Sequence, residues 1–122
     1  MDRVRFITHK GQQVLFIDMS NLHDGGCVLV INQVMKLVTA QPKDSVLTLT
    51  DWAGCQPDRK DLTRMKEVAV YDRPYVKRAA FINGGHLPKV LQQHLQTFSQ
   101  RTFAELPNQQ EALDWLTAEP SV

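Results

Sequence analysis

Asp18 closes the apolar run Val14-Leu15-Phe16-Ile17, and Asp51 closes the strand-like Val46-Leu47-Thr48-Leu49-Thr50. Two carboxylates at neighbouring strand ends can hold a magnesium ion for phosphoryl transfer. Receiver domains, which use that chemistry, also need a second acid beside the first aspartate and a lysine after the last strand. Ile17 stands in the first place, and Thr102-Phe103-Ala104-Glu105-Leu106-Pro107 offers no lysine. Asp18-Met19-Ser20 likewise lacks the Asp-x-Asp of aspartate-nucleophile phosphatases, so turn formation is the ordinary role for both carboxylates. Asn83-Gly84-Gly85-His86 reads as a strand-to-helix turn, where free backbone N–H groups and the helix dipole attract anions. His86 is the histidine with a chemically useful position, because His9 falls in a hairpin turn and His94 beside a helical apolar stripe. His23 and Cys27 are four apart, but no second pair stands at ligand spacing, so no metal is expected. Cys27 reads as core and Cys55 as a loop thiol, and the Gly-x-Ser-x-Gly turn of serine hydrolases is absent.

The elements that must position these groups are legible from periodicity. Arg3 to Thr8 alternates and is joined through His9-Lys10-Gly11-Gln12 to the Val14–Ile17 run, which predicts an edge strand hairpinned to a central one. Cys27 to Ala40 carries Cys27, Ile31, Val34, Met35 and Val38 at helical steps, and Gln41-Pro42 stops it. A strand over 45–50 ends at Asp51. Asp58 then caps a helix with Leu62, Met65, Val68 and Ala69 inward, closed by Arg73-Pro74. Tyr75 to Ile82 is a strand, Leu87, Leu91, Leu95 and Phe98 share a helical face, and Thr102 to Leu106 is a short strand. Asn108 with Glu111 starts a last helix carrying Ala112, Leu113, Trp115 and Leu116. The predicted order is ββαβαβαβα: an α/β domain with four helices and a mixed, mostly parallel sheet of about five strands with one antiparallel edge strand.

Composition narrows the function classes. With 122 residues the chain suits a single domain spanning its whole length, and 14 bases against 13 acids give no global attraction to nucleic acid or anionic lipid. Tyr71 and Tyr75 are the available stacking residues, too weak a signal for nucleic acid. The longest apolar run, Cys27 to Ile31, is far shorter than the ~20 residues of a membrane span, and a cytoplasmic protein is expected. The charge is uneven, with nine bases and three acids from Arg59 to Arg101 and four acids and no base afterwards.

The element order, the Thr48-Leu49-Thr50-Asp51 strand end, the helix start from Asp58 to Met65 and the closing Glu111-Ala112-Leu113-Asp114-Trp115-Leu116 carry a resemblance. The chain resembles STAS domains, the anti-sigma-factor-antagonist fold, and in particular small stand-alone bacterial members. The likeness covers nearly the whole chain through short motifs. It implies a mixed sheet with helices mostly on one side, and action by binding protein partners rather than by catalysis. The family's switch is a serine in Asp-Ser-Ser-Gly-Leu at a helix start. The matching stretch here is Asp58-Arg59-Lys60-Asp61-Leu62, so the phosphorylatable serines are replaced by two bases. The resulting expectation is a non-enzymatic interaction module without cofactor. Its partner surface takes in Asp51, Trp52, Asp58, Arg59, Lys60, Asn83, Gly84 and His86, with Trp52 either an apolar anchor or a cover for the sheet end. The same surface can pair two copies as a homodimer. Two other readings stay open: a small-molecule or lipid-binding protein, which needs an apolar cavity near the strand ends, and a magnesium-dependent phosphoryl-transfer enzyme using Asp18 and Asp51.

Overall fold

The computed structural model describes residues 3–23, 25–87 and 103–118. Val4–His9 (β1) and Gln12–Asp18 (β2) pair antiparallel. Their two-residue connection places both Lys10 (φ 51°) and Gly11 (φ 76°) in the left-handed region, the backbone that matches the twist of a tight hairpin. Cys27–Val38 (α1) leads to Val46–Asp51 (β3), and Arg59–Asp72 (α2) leads to Val76–Ile82 (β4). Phe103–Glu105 (β5) and Gln109–Thr117 (α3) complete the described elements. The sheet order is β1-β2-β3-β4-β5, with every pair after the first parallel.

The α/β class and the five-stranded mixed sheet agree with the periodicity. The described residues run ββαβαββα, with three helices, against the expected ββαβαβαβα. The fourth helix, expected on Leu87, Leu91, Leu95 and Phe98, falls beyond Leu87 outside the described residues.

Strand alternation divides the core into two layers. On one face Leu15, Ile17 and Val46 pack against Cys27, Val30, Ile31 and Val38 of α1 and Met65 and Val68 of α2. On the other, Val14, Phe16, Leu47, Leu49, Ala80 and Ile82 meet Ala112, Leu113 and Leu116 of α3. All of Val14–Ile17 is buried, because a central strand with helices on both faces has no solvent side. Edge strand β1 differs: Val4 is buried, whereas Phe6 is 37% exposed. Each layer closes its helix ends locally. Asn108 Oδ1 accepts from the Glu111 N–H at 2.9 Å, capping α3. Asp58 and Asp61 exchange backbone-to-carboxylate bonds of 2.8 and 3.0 Å, a reciprocal capping box at the head of α2.

Candidate functional site

Parallel strands bring their carboxyl ends to one edge of the sheet, and three chain segments are tied together there. Asp51 Oδ1 accepts from the Ala53 N–H and from Asn83 Nδ2, each at 3.0 Å. The Trp52 N–H donates to the Ile82 carbonyl at 3.0 Å. His86 Nε2 lies 2.8 Å from the Cys55 carbonyl; a carbonyl only accepts, so the proton sits on Nε2. Asn83 is left-handed at φ 60°, a conformation asparagine tolerates, and this turns the chain back over the β3–α2 loop. Gly84 is buried beneath that turn, and a Cβ there would stand 3.5 Å from Trp52 Cδ1 and 3.4 Å from Leu87 Cδ1. Asp51, Trp52, Asn83, Gly84 and His86 are thus assembled in one place, as architecture of the edge.

Of the two roles open to Trp52, partner anchor or cover for the sheet end, its burial fits the second. Its ring is 4% exposed and meets Phe81 edge to face, with centroids 5.7 Å apart. A loop aromatic with an open cavity beside it gains more from burial than from solvent contact, on the order of 2–3 kcal/mol. Arg59 and Lys60 do project outward from the first turn of α2 and have no partner among the described residues. Bases at a helix N-terminus oppose the dipole by a few tenths of a kcal/mol; here the Asp58 and Asp61 carboxylates offset them.

Asp18 and Asp51 are direct register partners on adjacent strands. Their carboxylates are committed locally: Asp18 Oδ1 accepts from the Ser20 N–H at 2.9 Å and from the Ser20 hydroxyl, with Arg3 Nη1 at 3.7 Å. Burial pushes the Asp18 carboxyl up, but the two Ser20 hydrogen bonds and the Arg3 and Arg5 charges together hold it below its usual value. Among the described residues no three His, Cys, Asp or Glu side chains converge as a metal site would require.

Cys55 lies in the loop between β3 and α2, as expected, but it faces inward. It is fully buried against Cys27, with the two sulfurs 3.7 Å apart. The hydrogen bond with Cys55, and then burial, push the Cys27 thiol up, and the Asp61 charge acts in the same direction.

Between the sheet and the α1–α2 layer lies a cavity of about 130 Å³. Ile17, Ile31, Met65, Val68, Ala79 and Phe81 are among the residues that make its walls largely hydrocarbon. Thr48, Thr50, Trp52 and Asp72 also line it. None of Thr48, Thr50 and Asp72 stood among the sequence-derived site residues. One signal was present: Asp72 falls four residues after Val68 and seven after Met65, an acid on the inward face of an amphipathic helix. Burial alone raises its carboxyl to about 7.

Comparison with protein-family models, with curated proteins and with solved structures finds no match. Among the described residues no helix is long and apolar enough to cross a membrane.

Proposed function

We propose that this chain is a non-enzymatic binding module of STAS type whose contact surface is the first turn of α2 together with the carboxyl edge of the sheet. The observation that carries the reading is the pair Arg59 and Lys60. Both are exposed and unpartnered among the described residues, on a helix start held rigid by the Asp58–Asp61 capping box. They occupy the place where the resembled family carries its serine switch, so a fixed positive patch replaces one that phosphorylation would make negative. The one antiparallel edge followed by parallel strands in sequential order supports the same family.

Two exposed cations on a rigid platform fit an acidic protein surface, recognised by complementary charge and therefore sensitive to salt. Crosslinking capture with the wild-type chain, followed by binding assays on each captured protein in purified form, tests this. A partner whose affinity falls with salt and is lost in Arg59→Ser/Lys60→Ser supports the reading. Identical partner sets and affinities for both forms overturn it.

A further inference from the structure

The cavity under α1 and α2 is chemically unlike a packing defect. An apolar engineered cavity of about 150 Å³ stays dry and takes up benzene, so a space of this size is large enough for a small ligand. A packing defect would be lined by hydrocarbon alone. Here Asp72 is 7% exposed and Trp52 4% exposed. Asp72 Oδ1 and Trp52 Nε1 are both buried without a hydrogen-bond partner; among the described residues only one further side-chain atom, Asp61 Oδ1, shares that state. A buried polar atom left unmet costs roughly 1–3 kcal/mol, which a ligand group of the right kind recovers.

Asp72 and Trp52 both line the space, and their backbones lie toward opposite ends of β3. The Asp72 carbonyl accepts from the Tyr75 N–H at 2.9 Å, beside the start of β4 where Val76 pairs with Val46. Trp52 follows Asp51, at the other end of β3. At about 3.3 Å per residue, the Val46-to-Trp52 stretch runs for roughly 15–20 Å. Thr48 and Thr50 line the wall between these ends. The space is therefore a largely apolar slot beneath α1 and α2, with the Asp72 carboxyl as its unpartnered acceptor among the described lining residues.

We propose that this slot binds a small amphiphile: a slender apolar body with a single hydrogen-bond-donating head, amine or hydroxyl, seated on Asp72. Where Asp72 is ionised, a carboxylate head is disfavoured, since it would meet a like charge and no cation lines the slot among the described residues. The site is separate from the Arg59–Lys60 surface, and either can stand without the other.

Three probes with one tail, octylamine, octanol and octanoate, test the assignment on the purified full chain. Uptake is read at pH 8, where the Asp72 carboxyl is mostly ionised, by native mass spectrometry and by Trp52 fluorescence in a Trp115→Phe background. Octylamine and octanol are expected to bind one to one and at least about tenfold more tightly than octanoate. Asp72→Asn should abolish the preference of amine over carboxylate while octanol still binds. Ala69→Leu, which narrows the slot from α2, should weaken all three. Saturable uptake of none of the probes, equal affinity for all three heads, or a ranking unchanged in Asp72→Asn would overturn the proposal. The wild-type ranking decides the matter even if a variant fails to fold.

Discussion

Cys27 Sγ and Cys55 Sγ stand 3.7 Å apart with neither residue exposed to solvent, so the first turn of α1 is held against the loop that follows β3. A thiol reagent reaches neither sulfur in the folded chain. Labelling of both is expected in one kinetic phase whose rate tracks global unfolding across a denaturant series. Rapid labelling of Cys55 alone under native conditions would contradict this. Cys55→Ala should cost about 1–2 kcal/mol, read from chemical denaturation, because it leaves a small void against Cys27.

Asp72 makes stability depend on pH in an unusual direction for a carboxylate. Its folded value is raised to about 7 by burial, whereas the unfolded chain titrates near 3.8. Between those values the folded state binds the proton more tightly. The associated stability is complete below the unfolded value and is lost as pH rises through the folded one. The loss is on the order of 2–4 kcal/mol. Asp72→Asn removes it. Urea unfolding at pH 5 and pH 8 should show the variant gaining on wild type at the higher pH, and an unchanged difference between them would refute the assignment.

Gly54 is the glycine whose replacement the fold resists most. It has φ +66°, and a Cβ would stand 2.3 Å from Asn21 Oδ1 and 3.3 Å from Asn21 Cγ, where the β2–α1 and β3–α2 loops cross. Gly54→Ala should cost roughly 1–3 kcal/mol by the left-handed backbone and the displaced amide. Gly85→Ala, with no atom within 4 Å and no left-handed backbone, is the control and should fall within about 0.5 kcal/mol of wild type.

The head of α2 separates stability from recognition. Asp58→Ala breaks the capping box and should cost about 1 kcal/mol in a thermal or urea melt. Arg59→Ser/Lys60→Ser changes two exposed side chains and should leave stability within about 0.5 kcal/mol, with a slight gain from removing cations at a helix N-terminus. A large stability loss in the double variant would mean that these bases are structural.

Much of this architecture is local, and so it could be read along the chain. The alternation of β1, the apolar runs of β2 and β3, the Asp58 and Asn108 caps and the Lys10-Gly11 turn each depend on residues a few positions apart. The positions that carry the candidate chemistry depend on distant ones. Cys55 reads only as a loop thiol until the fold places it on Cys27, and Trp52 reads equally as a partner-facing anchor or as cover for the sheet end until Phe81 and the cavity beside it bury it. Asp72 shows in sequence only as an acid on an inward helical face. That it has no partner there follows from what the sheet presents opposite: Thr48, Thr50, Val76 and Ala79 bring no cation and leave open space. Periodicity states which face of an element is buried. Whether the opposing face fills the gap or leaves a slot depends on side chains far away in the chain, and that sum is made when the layers pack.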